Sequence, residues 1–279
     1  MLAHRRRSRL PAAQLYGGAV PFSFRRDQGN QLPDVLAEPY GYFHGPMAHA
    51  FACGAPMAVN NQAPWNTIVK SCSCCGPQQK RDMLRESWGV TNVEEWRQTL
   101  ERLLDDDSSD DAATLLLGMR RQLAHQYGGP VDAGTWRAAI ERWCTHNGRG
   151  NDVYQQLLGT AGSILDYEKR MVADGVLPPG AFVTHMIGYD FGRAVNMARW
   201  GVHAEFTDPR TAEWYVMRAG EQCRRYFTSW PDLSTSYLMG RVLRFDDGEY
   251  GPYYTESVAA HHALMGNPQS PWLHLPWAM

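Results

Sequence analysis

Charged side chains stand inside a strongly apolar helical pattern over residues 186–245. Asp190 and Arg193 are three residues apart, so on a helix they share one face. Arg241 follows in a second apolar stretch. Because an unpaired charge is costly to bury, the fold must give these charges partners inside the protein. The pattern therefore predicts helices that pack around a polar centre.

This polar centre consists of Asp190, Arg193, Tyr237 and Arg241, and it has two interpretations. In the first, an ion pair between Asp190 and Arg193, completed by Tyr237 or Arg241, fixes how two helices dock. In the second, two arginines outnumber one aspartate and hold an anionic group through charge-assisted hydrogen bonds. A dry, fully paired cluster would favour the first interpretation, and a solvent-connected cavity would favour the second.

Helical spacing dominates the chain from Gly45 onward. Apolar residues recur every three or four positions, and capping residues, glycines and prolines mark helix ends. These signals predict about eight or nine helices. The prediction is a mainly α, compact multi-helix domain over residues 45–279. An irregular, strap-like segment rich in Arg, Gly, Pro and Gln precedes it over residues 1–44.

Two further predictions concern local structure in the second half of the chain. Residues 180–200 are predicted to form one long helix. The Asp247-Gly248 pair indicates one short hairpin within residues 245–254, in a chain where strand alternation is otherwise scarce.

Composition disfavours several classes of partner. The 279 residues contain 27 lysines and arginines against 29 aspartates and glutamates, so nucleic-acid binding would need a local patch such as Arg224-Arg225 or residues 5–9. No apolar run reaches the roughly 20 residues that span a bilayer. Residues 10–24 are interrupted by prolines and glycines and lack the apolar core of an export signal. We therefore expect a soluble, cytoplasmic protein with no membrane partner.

The six cysteines do not have the spacing of a metal site. Cys72, Cys74 and Cys75 are clustered, with Cys53 and two histidines upstream, but a second well-spaced pair is missing. The acidic run over residues 105–111 lacks the glycine and the distal glutamate of a calcium loop. We therefore expect reduced thiols and predict no metal and no cofactor, with a zinc or redox role for the cysteines as the alternative.

Three separated motifs are similar to those of a known family. They are Arg85-Glu-Ser-Trp-Gly-Val90, Tyr189-Asp-Phe-Gly-Arg193 with Arg199-Trp-Gly201, and Phe227-Thr-Ser-Trp230 with Ser236-Tyr-Leu-Met-Gly-Arg241. In this order they resemble the bacterial DUF1266 family of uncharacterised proteins, over roughly residues 83–245. The family usually has Trp where this chain has Tyr189, which keeps an aromatic ring at that position. The resemblance implies a bacterial, mainly cytoplasmic helical domain and assigns no activity.

The leading hypothesis for function is a non-enzymatic protein-binding domain in a toxin–immunity or stress setting. Exposed aromatics and the tail over residues 270–277 would dock an unidentified protein partner, because Trp and Arg anchor many interfaces. Trp88, Trp200 and Trp230 are candidates for this interface or for core packing. The alternative is an enzyme or a small-anion-binding protein that uses the polar centre as its pocket. None of the common nucleophile, phosphate-loop, zinc-protease or dinucleotide motifs occurs, so the sequence names no reaction.

Overall fold

The computed structural model describes residues 32–69, 76–105 and 112–278. All regular structure in this part of the chain is helical, which confirms the prediction of a mainly α domain. Residues 32–44 contain no helix. In chain order the helices are α1 (Gly45–Cys53), α2 (Ala55–Asn60), α3 (Pro77–Trp88), α4 (Val93–Leu104), α5 (Ala112–Tyr127), α6 (Ala133–His146), α7 (Asn151–Ala173), α8 (Gly188–His203), α9 (Pro209–Tyr226), α10 (Trp230–Phe245), α11 (Pro252–Gly266) and α12 (Pro271–His274).

Side-chain caps explain where several of these helices begin. Asp132 at the start of α6 and Asp208 at the start of α9 each accept the backbone N–H three residues later. Ser229 caps α10 in the same way. Each cap gives a partner to one of the backbone donors that a helix start leaves unpaired.

The predicted hairpin between α10 and α11 is wrong, because these residues form a turn. Asp246 is buried, and its carboxylate accepts the backbone N–H groups of Tyr250 and Gly251 at 2.8 and 2.9 Å. The Tyr167 hydroxyl donates to the same carboxylate at 2.8 Å. The buried Asp246 carboxylate thus accepts from backbone N–H groups that would otherwise pair with a neighbouring strand.

The prediction of one long helix over residues 180–200 is wrong at its start, because α8 begins at Gly188. The preceding residues run as irregular backbone whose polar groups bind charged side chains of α5 and α7. Glu168 accepts the N–H of Val183 at 2.7 Å, and Arg120 donates to the Val183 carbonyl at 3.1 Å. Arg120 and Glu168 also form a buried, two-pronged ion pair that sequence reasoning did not single out.

In the described residues, two large apolar clusters form most of the core. One is built mainly from α1, α2, α4, α8 and α9, and the other mainly from α5, α6 and α7. A third, small cluster consists of Met57, Tyr189 and Tyr237. Helix α10 contributes Leu233 to the first cluster and Leu238 to the second, and α11 contributes Leu264 and Tyr254 in the same way. These two helices therefore join the two halves of the core.

Glycines allow two pairs of helices to pack unusually closely. A Cβ added to Gly240 of α10 would lie 2.3 Å from the Met186 carbonyl oxygen, just before α8. A Cβ added to Gly220 of α9 would lie 2.6 Å from the Cβ of Ala50 in α1. Both separations are well below van der Waals contact. These two helix interfaces, which we call seams, therefore require glycine, which has no side chain, at these positions.

Candidate functional site

The first turn of α8 lies directly on α10. The Gly188 N–H donates to Ser236 Oγ at 3.0 Å, and a Cβ on Gly192 would lie 3.1 Å from the Tyr237 ring. The two glycines are four residues apart and leave one face of α8 flat enough for α10 to approach. Asp190 lies between them, where its negative charge also suits the positive end of the helix.

Asp190 is bound by arginines from both helices. Its Oδ1 accepts from Arg193 of α8, and its Oδ2 accepts from Arg244 of α10 at 3.0 Å. The three side chains are only 15%, 6% and 7% exposed, in the order Asp190, Arg193 and Arg244. Each carboxylate oxygen thus has its own guanidinium partner, and the cluster ties α8 to α10.

Aromatic rings enclose the Arg193 guanidinium. Its Cζ lies 4.5 Å from the ring centroid of Tyr189 and 5.4 Å from that of Trp88. Burial on its own lowers the pKa of Arg193, but the charge and hydrogen bond of Asp190, together with Tyr189 and Tyr237, outweigh burial and raise that pKa. Arg193 therefore carries a fixed positive charge between a carboxylate and two aromatic faces.

Arg241 belongs to an adjacent ion pair. Its Nη2 donates to Glu256 at 2.6 Å and its Nη1 donates to Ser257 Oγ at 3.1 Å, both on α11. Arg241 is one of two residues, with Tyr237, expected to complete the Asp190–Arg193 pair; for Arg241 this expectation is wrong, because Arg244 completes the pair. Arg241 instead ties α10 to α11.

Tyr237 is buried within reach of the charges of both Arg193 and Arg241. Its ring contacts that of Tyr189 at 5.1 Å between centroids. Burial raises the pKa of Tyr237 well above its ordinary value, so the hydroxyl keeps its proton at neutral pH. The predicted polar centre is therefore a set of paired charges around the rings of Tyr189 and Tyr237, and the protonated Tyr237 cannot act as a base.

Trp88, Trp200 and Trp230 all lie in packed positions. The rings of Trp88 and Trp200 contact each other at 6.0 Å between centroids, and both are partly buried. Trp230 is buried, and its indole N–H donates to the Leu275 carbonyl at 2.9 Å. Trp230 is thus a core residue, while Trp88 and Trp200 present only part of their rings to solvent.

The C-terminal tail packs its tryptophans into the fold. The Trp272 indole N–H donates to the Ala52 carbonyl, and the Trp277 indole N–H donates to the Phe227 carbonyl, both at 3.0 Å. Leu273, between them in sequence, is half exposed. The tail tryptophans thus pack within the protein itself, and the part of the tail that faces solvent lies on α12.

A cleft of about 410 Å³ opens between the residues before α1 and helix α12. Sequence reasoning missed it, because its two walls are more than two hundred positions apart in the chain. Its walls include the side chains of Phe43, His44, Trp65, Pro271, His274 and Leu275. The cleft therefore has mainly apolar walls, with two histidines among them.

An exposed stretch with the sequence Pro-Tyr-Gly-Tyr-Phe-His-Gly-Pro, residues 39–46, forms one edge of this cleft; we call it the aromatic segment. Tyr40 is 100% exposed, and Tyr42 and Phe43 are 39% and 41% exposed. In the described residues, five of the eleven exposed large apolar side chains lie between Leu32 and Phe43. Exposed large apolar side chains are thus concentrated in residues 32–43, and Phe43 among them lines the cleft.

The backbone of the aromatic segment is fixed by Asn66. The Asn66 side chain is buried, accepts the Glu38 N–H at 2.7 Å and donates to the Glu38 carbonyl at 3.0 Å. The Asn66 carbonyl accepts the Tyr42 N–H at 2.8 Å. A Cβ on Gly41 would lie 2.5 Å from the Asn66 side chain, so glycine is needed here. The exposed rings therefore project from an ordered backbone.

Several predictions on metals and charge patches fall outside the described residues. These are Cys72, Cys74 and Cys75, residues 5–9, and residues 106–111 of the acidic run. Among the residues that the structure does describe, no three His, Cys, Asp or Glu side chains are grouped to hold a metal ion. The absence of a metal stays a prediction. In the same described ranges, no helix combines the length and apolarity that crossing a membrane requires.

Comparison with known proteins bears on the family and leaves the activity open. Residues 83–277 match the family described as "Protein of unknown function (DUF1266)". The "Uncharacterized protein YbeU" of Escherichia coli (strain K12) is 22% identical over 194 residues, which cover 69% of this chain and 68% of that protein. No solved structure matches the chain. The family match extends past α10 and includes α11 and α12, and therefore one wall of the cleft.

Proposed function

This chain belongs to the DUF1266 family, and we propose that it is a non-enzymatic domain that binds an extended, proline-rich segment of a partner protein in the cleft between the aromatic segment and α12. The observation that carries the proposal is the concentration of exposed apolar side chains on an ordered backbone beside a cleft. Large exposed apolar patches on soluble domains commonly mark interaction sites. A cytoplasmic location forms part of this proposal.

The chemistry of the partner follows from the walls of the cleft. Proline-rich segments adopt an extended helix with no internal hydrogen bonds, and they dock in grooves lined by aromatic side chains. Here Phe43 and Trp65 meet edge to face, with ring centroids 6.2 Å apart. Prolyl rings would pack against the exposed Phe43 ring, which rests on the buried Trp65, and Pro271 and Leu275 would close the opposite wall.

Trp65 adds a hydrogen-bond requirement to the cleft. It is 3% exposed, and its indole N–H meets no acceptor within the described residues. A buried indole N–H normally has a partner. Because the carbonyls of a proline-rich segment are unpaired, one of them would supply that acceptor when Phe43 turns aside.

The hydrogen bonds around Asn66 order the aromatic segment, which favours tight binding by this small surface. They hold the aromatic segment in place before any partner arrives. Binding then loses less conformational entropy than it would from a loop that becomes ordered on contact.

The test is fluorescence anisotropy with a labelled oligoproline peptide and a Gly-Ser peptide of equal length. We expect binding of the oligoproline only. Phe43→Ser should weaken it at least about tenfold, as loss of an anchor residue does. Trp65→Phe keeps a ring but removes the N–H, and it should weaken binding by a smaller factor. Tyr127→Ser, at another exposed aromatic (63%) on α5, is the matched control and should change nothing.

Two results would contradict the proposal. Equal affinity for both peptides would mean that the cleft does not select a proline-rich chain. Binding that survives Phe43→Ser but falls with Tyr127→Ser would place the interface elsewhere.

One observation favours the alternative, a small-anion site at the polar centre. Three arginines there face two carboxylates, Asp190 and Glu256, so the cluster has an excess positive charge. Both oxygens of Asp190 are already occupied, however, and the side chains are largely buried. Titration with inorganic phosphate, followed by calorimetry, separates the two proposals. Phosphate binding that Arg241→Met abolishes, with the fold intact, would support the anion site.

A further inference from the structure

A cysteine and a histidine face each other inside α1. The Cys53 Sγ lies 4.0 Å from His49 Nδ1, and its S–H donates to the His49 carbonyl oxygen at 3.3 Å, one helical turn away. Both side chains are completely buried. The other ring nitrogen, His49 Nε2, lies 3.1 Å from the Trp277 carbonyl oxygen.

The Trp277 carbonyl determines what His49 can do. A carbonyl oxygen only accepts hydrogen bonds, so Nε2 must carry the proton and Nδ1 is left as an acceptor. Nδ1 is the atom that faces the Cys53 sulfur. Cys53, His49 and the Trp277 carbonyl thus stand in the order nucleophile, base and orienting group.

A second thiol lies beside the first. Cys223 of α9 is completely buried and has Cys53 as a neighbour. One turn earlier on each helix, Gly220 and Ala50 make the closest approach between α9 and α1. The same seam therefore brings the two sulfurs together.

The electrostatics assign different roles to the two thiols. Burial on its own raises the pKa of Cys53, but the neighbouring thiol of Cys223, the contact with His49 and the charges of His49 and Arg224 together outweigh burial and lower that pKa. Burial and the neighbouring Cys53 raise the pKa of Cys223. Cys53 is therefore the more acidic of the two thiols and the one that ionises first.

We propose that Cys53 and Cys223 form a hydroperoxide-reactive dithiol, with His49 as the base that takes the Cys53 proton. This site is separate from the peptide cleft and does not depend on the function proposed above. Its substrate class is a small hydroperoxide, with hydrogen peroxide the simplest member. An external thiol would return the pair to the reduced state.

The chemistry proceeds in two balanced steps. The Cys53 thiolate attacks one peroxide oxygen, the O–O bond breaks, and the departing hydroxide takes the proton held by His49 to become water. Cys53 is now a sulfenic acid. The Cys223 sulfur then attacks the Cys53 sulfur, the S–O bond breaks, and the hydroxyl leaves as water with the Cys223 proton. Two thiols have been oxidised to a disulfide, and one hydrogen peroxide has been reduced to two waters.

The experiment uses the full chain with Cys72, Cys74 and Cys75 changed to Ser, which leaves Cys53, Cys144 and Cys223. The native protein is treated with hydrogen peroxide, remaining thiols are alkylated at timed intervals, and peptides are mapped by mass spectrometry. We expect a Cys53–Cys223 cross-link that dithiothreitol reverses. Cys144 is the matched control, because it is also buried (4% exposed) and should stay reduced.

Two variants test the assigned roles. His49→Gln should slow Cys53 oxidation at least about tenfold, because the base is lost. Cys223→Ser should stop the reaction at the sulfenic acid, which a dimedone-type probe would trap on Cys53. This second variant keeps the proposal testable if His49→Gln does not fold.

A reference measurement in denaturant completes the design. There Cys53 and Cys144 should react at equal rates, since the fold no longer distinguishes them. The proposal is wrong if native Cys53 is oxidised no faster than Cys144, if the cross-link joins other pairs, or if a folded His49→Gln variant reacts at the original rate.

Discussion

At the scale of single residues, Asp190 connects helices α8 and α10. It accepts from Arg193 on its own helix and from Arg244 on α10, and all three side chains are largely buried. Removing one partner of a buried ion pair is costly because the other charge is left without compensation. Removing Asp190 would leave two such charges, whereas removing Arg193 would leave Asp190 paired with Arg244.

We therefore predict that Asp190→Ala lowers the free energy of unfolding by about 3–5 kcal/mol. Arg193→Met should cost less than Asp190→Ala, because Arg244 still neutralises the carboxylate. Urea unfolding at neutral pH, followed by circular dichroism, measures both changes.

The matched control is the Asp82–Arg85 pair on α3, which has the same spacing of three residues but lies at the surface. Asp82→Ala should cost less than about 1 kcal/mol. An equally small effect of Asp190→Ala would show that this carboxylate does not hold α8 and α10 together. A stable variant that had lost binding of an anion would instead favour a site.

At the scale of elements, the seam between α8 and α10 depends on glycine. A Cβ on Gly240 would lie 2.3 Å from the Met186 carbonyl oxygen and 2.7 Å from the Tyr189 Cβ. Both neighbours are backbone or the start of a side chain, so neither can swing away. The helices would have to separate, and the reach from Arg244 to Asp190 would lengthen.

Gly240→Ala should therefore destabilise the protein by about 1–3 kcal/mol or more, the usual cost of overpacking. Gly118→Ala is the control, since Gly118 lies within α5 and an added Cβ there meets nothing within 4 Å. It should be neutral or stabilise by up to about 1 kcal/mol, because alanine favours helix. Thermal unfolding of the two variants compares them directly, and equal midpoints would show that the seam tolerates a methyl group.

The same elements show how far sequence reasoning reaches. Helical spacing and the Asp190–Arg193 pair were predictable because they depend on residues close together in the chain. Arg244 was missed because its contact with Asp190 depends on the helix crossing, which the glycines set. The start of α8 and the absent hairpin were mispredicted for a related reason. Before α8, charged side chains of distant helices bind backbone groups that the local pattern assigns to a helix. In the turn after α10, Asp246, which also accepts from the distant Tyr167, binds backbone donors that the local pattern assigns to a strand.

At the scale of the whole molecule, α1 and α2 precede the family match over residues 83–277 yet lie inside the core. Ala50, Phe51 and Cys53 are completely buried. The close approach of Ala50 to Gly220 shows that α1 fills a groove on α9. The matched region by itself would therefore expose the apolar faces that α1 covers.

We predict that a truncated chain beginning at Pro77 does not fold cooperatively, whereas one beginning at Leu32, which keeps α1 and α2, unfolds in a cooperative transition. Each fully buried large apolar side chain contributes about 1.5–3 kcal/mol, and the loss of several such contacts approaches the whole stability of a typical domain. Thermal unfolding monitored by circular dichroism distinguishes the two chains. A cooperative transition at an unchanged midpoint for the chain beginning at Pro77 would mean that the family-matched region folds on its own. It would also mean that α1, with His49 and Cys53, is an attachment to the core. The expected loss of cooperativity would make α1 a structural part of the domain and place the dithiol within its folding core.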